Sequence, residues 1–262
     1  MGTRPPAVAG HFYPRDVVAL ASTVDGLLDT AAASGAAAPD APLPWALMVP
    51  HAGYVYSGPV AASGYAALRG HCETLRRVVL LGPSHYVALE GMATAAATRW
   101  STPLGEVAVE RAPGVPADDR PHAADHALEV QLPFLQRLLP HGFTVVPIAV
   151  GRTAAEEVAD LLALVRASLP GLVVVSSDLS HYHDAVTASR LDRRTASAVL
   201  DLDPAAIGSE DACGAWALRG LLVHARRRGS SVSMLDLRNS ADTAGNPSRV
   251  VGYGAFSFTD PG

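Results

Sequence analysis

Four ionisable side chains stand just past three apolar runs. Trp45-Ala46-Leu47-Met48-Val49-Pro50 ends at His51, and Arg77-Val78-Val79-Leu80-Leu81 runs through Gly82-Pro83-Ser84 into His85. Val173-Val174-Val175 breaks into Ser176-Ser177-Asp178-Leu179-Ser180-His181. Short, wholly apolar runs are what strands covered on both faces require. Open α/β sheets take their ligands in the crevice outside the carboxyl ends of such strands. One histidine past a strand is an ordinary capping or surface group; three strand ends with the same habit form a pattern. Pro, Gly or Ser precedes each, and these residues allow a tight exit and a close ligand approach. Neutral imidazoles with a carboxylate on one rim suit a divalent transition metal. His51, His85 and an anionic Asp178 read as the two-histidine, one-anion set of non-haem iron oxygenases. A hydrolytic zinc site would draw on the same residues.

The elements that must position these groups alternate along the chain. Val17, Leu20, Val24, Leu27 and Leu28 fall at spacings of three and four and predict a helix over 16–33. Ala31 to Pro44 reads as a surface loop, 59–69 as a helix, and 90–111 as a hairpin or two short strands. Residues 112–122 read as a Pro/Asp-rich loop, 125–139 as one helix, 143–149 as a strand and 153–168 as a helix. Helices near 185–200 and 212–228 and strands at 231–238 and 249–258 follow, with His183 placed at a helix start. Strands alternating with helices throughout predict an α/β fold. The expected architecture is a three-layer α/β/α single domain over 1–262 with a central, mostly parallel or mixed sheet.

Composition limits the function classes. With 262 residues, 49% of them hydrophobic, one large core is available. A net charge of -5 and a pI near 6.0 argue against nucleic-acid and anionic-membrane partners. Every basic side chain among the 20 is arginine. The N-terminus lacks an apolar signal core, and no uncharged apolar run approaches about 20 residues, so no membrane span and a cytoplasmic location are expected. Cys72 and Cys213 do not make a disulfide framework. Ten histidines against five phenylalanines direct attention to metal or acid–base chemistry.

The ordered motifs Ala9–Pro14, His51–Gly58, Gly82-Pro83-Ser84-His85, Trp100–Gly105, His126–Leu135, Ser176–His181, Cys213-Gly214 and Gly252-Tyr253-Gly254 span nearly the whole chain. Together they closely resemble the MEMO family, whose prokaryotic members are called AmmeMemoRadiSam system protein B. The fold of that family is similar to that of the class III extradiol dioxygenases, which cleave catechol rings with non-haem iron(II). The resemblance implies metal positions at His51, His85 and Cys213, with the thiol where the ring-cleaving enzymes carry glutamate. It moves Asp178 and His181 to an acid–base wall of the same pocket, with His181 at the general-base position. It places His126 near the pocket as a supporting donor or acid–base partner, and Tyr56 and Phe12 as aromatic lining. Asp125 stands where family members usually carry glutamate.

These matches predict a non-haem iron(II) oxidoreductase of dioxygenase type, acting on an aromatic or related small molecule with O2. Copper or zinc would also suit a thiolate-containing site. Two other expectations stand beside it: a binding or accessory protein, holding a peptide or copper or supporting a radical-SAM partner, and a zinc-type hydrolase. The hydrolase reading lacks a nucleophile elbow at Ser176 and Ser177. His11 reads as a surface residue and Cys72 as structural, while His126 and Glu129 share a predicted helix face on which a cap or salt link is the alternative role.

Overall fold

Each apolar run that ends in a candidate residue is a strand buried on both faces. The computed structural model describes residues 2–36 and 42–261. In chain order it forms β1 (Thr3–Arg4), α1 (Val17–Ala31), β2 (Ala46–Val49), α2 (Tyr54–Ala66), β3 (Arg77–Gly82) and β4 (Met92–Thr94). Next come β5 (Arg99–Thr102), β6 (Gly105–Val109), α3 (Arg120–Ala123), α4 (Leu132–Leu138), β7 (Thr144–Val150) and α5 (Ala155–Ser168). The chain ends with β8 (Leu172–Ser176), β9 (His181–His183), α6 (Ala185–Leu200), α7 (Ala215–Arg228), β10 (Ser231–Asn239), α8 (Ser240–Thr243) and β11 (Val250–Thr259).

The strands join one mixed sheet in the order β1-β5-β6-β7-β3-β8-β2-β11-β10, with β4 branching from β7 and β9 from β11. From β6 to β2 the neighbours are parallel, while β11 and β10 close one side and β5 adds to the other in antiparallel fashion. Side chains alternate between the two faces. Leu47, Val49, Val78, Leu80 and Val174 pack with Leu20, Tyr65 and Phe134 of α1, α2 and α4. Met48, Val79, Leu81, Val173 and Val175 pack with Val158, Leu162, Leu218 and Leu222 of α5 and α7. This is the three-layer α/β/α arrangement the alternation predicts, and burial on both faces explains the continuous apolar runs.

Several boundaries differ from the sequence expectation. Helix α2 starts at Tyr54 rather than 59, because Tyr54 N–H donates to Phe12 O at 2.8 Å and fixes the first turn from outside. The span 90–111 makes three short strands. The stretch expected as a loop up to 122 ends in α3, and the single helix over 125–139 is broken. There the Asp125 carboxylate accepts Ala127 N–H at 2.9 Å, turning the chain before a 3-10 turn at Glu129–Gln131 and the short α4. His183 belongs to β9, while Asp184 caps α6 by accepting from Val186 and Thr187 N–H. The expected loop over 31–44 begins instead with a helical turn, Ala32–Ala36, and its residues 37–41 lie outside the described ones.

Residues Val17–Gly35 are long and apolar enough, by length and composition, to cross a membrane, with hydropathy 1.3. In this fold Leu20, Val24 and Leu28 of that helix are buried in the core against α2 and α4.

Candidate metal centre at the sheet rim

Strand β8 lies between β2 and β3, and the three run parallel. Their carboxyl ends therefore stand side by side, which brings His51, His85 and the Asp178–His181 segment to one place. A cleft of about 610 Å³ opens there, lined among others by Phe12, His51, His85, His126, Asp178, His181 and Cys213. Ligand atoms of His51, His85 and His126 all lie within 4.8 Å of one another and could hold a metal ion.

Each imidazole is held differently. His51 is almost wholly buried; its backbone N–H donates to Asp178 Oδ1 at 2.7 Å, and its Nδ1 meets Ser176 Oγ at 2.9 Å. His51 Nε2 lies 3.1 Å from Cys213 Sγ. Asp125 grips His85 twice, accepting the backbone N–H at 2.6 Å and meeting Nδ1 at 3.1 Å. The shorter acid at this position thus reaches its histidine, because its own segment turns at Ala127 and carries it against β3. His126 stacks on His85 with ring centroids 4.6 Å apart and meets the Phe12 ring at 4.4 Å. Its buried Nδ1 has no hydrogen-bond partner among the described residues, Asp125 Oδ1 standing off at 3.9 Å.

Burial disfavours the charged form of two of the three histidines, His51 and His126. Burial, followed by repulsion from His85, His126 and His181, holds His51 well below the usual imidazole range. Burial and His85 together lower His126 to about 4. Burial raises Asp125, but its bonds to His85 outweigh that and leave it below the ordinary carboxylate value. Neutral imidazoles backed by hydrogen bonds are what a metal site needs, since protonated rings have no lone pair to give. An orphaned nitrogen on His126 fits the same purpose.

Asp178 and His181 both line the cleft, in different surroundings. The Asp178 carboxylate is committed to His51 N–H, and burial pushes its pKa up to about 7. His181 lines the cleft, half-buried, and burial lowers its pKa below the ordinary value. Cys213 lies beside His51, outside the group whose donors all approach one another, and receives Asp178 N–H at 3.2 Å. Burial first, and then the Asp178 charge, pushes its thiol upward. The resemblance implied His51, His85 and Cys213 as the metal positions; the structure brings His126 into the cluster as well, rather than leaving it behind the ligands.

Of the two aromatic positions, Phe12 lines the cleft, whereas Tyr56 is 41% exposed on the first turn of α2 and is not among the lining residues. His11 is exposed at the surface, as expected. Cys72 Sγ donates to Leu68 O, a structural role. At the mouth, Tyr182 adopts the left-handed region at φ 66°, with Arg249 lying over its ring at 4.4 Å.

Glu129 does not share the cleft with His126. Its carboxylate is fully buried against Arg4 at 2.6 Å and accepts from Ala7 N–H, Val8 N–H and Tyr13 Oη–H. Arg4 in turn donates to His122 O at 2.7 Å and Asp125 O at 2.8 Å. This pair binds the N-terminal arm that carries Phe12 to the turn that carries Asp125 and His126. The shared helix face expected for His126 and Glu129 does not form: His126 turns into the cleft and Glu129 pairs with Arg4.

A family model described as Memo-like protein matches residues 4–257 of the chain. The MEMO1 family protein TV1383 of Thermoplasma volcanium is 32% identical over 271 residues, covering 97% of both chains. A MEMO1 family protein of Nitrosopumilus maritimus is 31% identical over 274 residues, covering 97% of this chain and 99% of its own. One from Aquifex aeolicus is 34% identical over 288 residues, covering 98% of this chain and all of its own.

Proposed function

The chain belongs to the Memo-like protein family, and on that premise we propose that its rim cluster is a transition-metal centre serving a non-haem iron(II) oxidoreductase of dioxygenase type. The observation that carries the reading is the convergence of three imidazoles on one rim, His51 and His85 past the ends of β2 and β3 and His126 on the turn before α4 with a buried Nδ1 that no described residue hydrogen-bonds. His51, His85 and His126 would hold the ion, with Cys213 beside them as a thiol ligand. Iron(II), when bound, supplies the one-electron chemistry that lets O2 react with an organic molecule.

The chain's own residues would do the rest. A phenolic or related substrate would enter the 610 Å³ cleft against Phe12, whose ring meets His126 at 4.4 Å. His181, neutral near pH 7 because burial lowers its pKa, would take the hydroxyl proton at an imidazole nitrogen. Asp178 would fix the His51 backbone rather than move a proton, since its carboxylate is committed to that amide.

The test is anaerobic purification with metal analysis, followed by O2 uptake on a panel of catechols. Near-stoichiometric iron that is lost in His51→Ala and His126→Ala, with substrate-dependent O2 uptake, is the expected result. Stoichiometric zinc with hydrolytic turnover would overturn it. A second reading draws on Cys213: a thiol 3.1 Å from His51 Nε2 suits copper(I) or zinc. The protein would then be a metal-holding or accessory protein, for instance to a radical-SAM partner, and O2 uptake would be absent.

A further inference from the structure

Behind His51 lies a chain of buried polar groups whose direction is fixed at both ends. Gln131 is wholly buried, and its Nε2 donates to Pro50 O at 3.0 Å and to Ser176 Oγ at 2.8 Å. A proline carbonyl can only accept, so the amide nitrogen must face this side, and Oε1 is left for Tyr65 Oη–H at 2.9 Å. Ser176 Oγ has three neighbours: Gln131 Nε2, Ala127 O at 2.7 Å and His51 Nδ1 at 2.9 Å. Ala127 O can only accept, so it takes the single hydroxyl proton. The amide proton of Gln131 fills one lone pair of the hydroxyl oxygen. What remains for His51 is an acceptor, and Nδ1 must therefore carry the proton.

We propose that Ser176, oriented by Gln131 and Ala127 O, is a positioning residue that locks His51 in the Nδ1–H tautomer and presents a bare Nε2 lone pair to the cleft. On the other side of the cluster the Asp125 carboxylate makes the same selection at His85 Nδ1, by charge rather than by a hydroxyl. The two strand-end imidazoles are thus set alike by unlike partners. In the metal-free protein the bare Nε2 of His51 is an acceptor 3.1 Å from Cys213 Sγ, whose thiol proton can go there or to Asp178 O at 3.6 Å. Freed from Ser176, the ring can instead carry its proton on Nε2 and donate it to Cys213 Sγ, and in that tautomer the nitrogen nearest the cleft has nothing to give a cation.

The direct test reads the tautomer itself. Two-bond 1H–15N correlation spectra of the chelator-treated protein at near-neutral pH, assigned by a His51→Gln control, should show Nδ1 protonated and Nε2 bare. Ser176→Ala should give a tautomer mixture at His51 and lower zinc(II) affinity by roughly 10–100-fold. Tyr65→Phe removes a hydroxyl from the same chain without touching the acceptor that faces His51. It should cost stability and leave both tautomer and zinc affinity as they are, which separates selection from general loosening of the core. An Nε2–H tautomer in the unaltered protein overturns the proposal, whether or not Ser176→Ala folds, and so does an unchanged tautomer in that variant. The zinc measurement rests on the metal reading above and the spectra do not. Absence of zinc binding alongside the expected tautomers would sink the metal centre and leave the positioning role of Ser176 standing.

Discussion

Replacing Glu129 by glutamine should destabilise the protein far more than an isosteric change of one atom suggests. The carboxylate is fully buried and gathers Arg4 Nη1 at 2.6 Å, Tyr13 Oη at 2.6 Å, Ala7 N at 2.8 Å and Val8 N at 3.1 Å. All four are donors. A glutamine can face them with one oxygen only, and its amide group brings further donors where acceptors are needed. It also leaves the buried Arg4 guanidinium without its counter-charge, and breaking one side of a buried pair typically costs about 3–5 kcal/mol. For a domain of this size each kcal/mol lowers Tm by about 2–4 °C, so the variant should melt roughly 10 °C lower in a circular-dichroism scan of the metal-free protein. Arg4→Met combined with Glu129→Gln should recover only part of the loss, because Ala7 N–H, Val8 N–H and Tyr13 Oη–H still compete for one oxygen. A melting point within about 3 °C of the unaltered protein would show that the pair is not the clamp inferred here.

Three further outcomes follow from the geometry. Asp125→Asn, which replaces the carboxylate that meets His85 Nδ1, should weaken zinc(II) binding by roughly 10–100-fold in a competition titration; unchanged affinity would count against Asp125 as the group that orients His85. His122, lowered to about 4 chiefly by burial, contributes stability that is full above its ordinary value of 6.5 and lost as pH falls through about 4. His122→Gln should therefore flatten the fall in stability across that window by up to about 1.4 kcal/mol per pH unit in urea titrations. Gly252→Ala would press a methyl group against the buried Asp192 carboxylate, which accepts Ser180 N–H at 3.0 Å, and should cost about 1–3 kcal/mol. A neutral result by chemical denaturation would mean that the Ser180 turn has room to move.

The rim was legible in the sequence because a strand covered on both faces leaves an unbroken apolar run, and the run ends where ionisable groups begin. His51, His85 and Asp178 stand out for that reason. The joining of His126 to the cluster was not visible locally. Helical spacing puts His126 and Glu129 on one face, but the bond from Ala127 N–H to Asp125 breaks the helix. His126 then turns into the cleft while Glu129 goes to Arg4, its partner 125 residues away. No local pattern carries a contact of that range. Tyr56 lies outside the cleft lining for a related reason: the turn that starts α2 early leaves it at the surface, and the contact of Tyr54 N–H with Phe12 O, from a distant part of the chain, helps to set that turn.

Strand β8 separates two strands that precede it in the chain, and this has a consequence for folding. β2 and β3 are complete long before β8 exists, and both are apolar enough to pair with each other directly. In the native sheet they stand apart by two strand spacings, about 10 Å, with β8 hydrogen-bonded to each. A chain that paired β2 with β3 would leave Val173-Val174-Val175 without a place in the sheet and Ser176 away from His51. Ser176, which meets His51 Nδ1, and Asp178, which accepts His51 N–H, reach the rim only in the topology that has admitted β8. A ligand that bound His51 only in this supported geometry would favour that topology by RT ln(1 + [L]/Kd), and so would act as a thermodynamic check on the order in which the sheet was assembled.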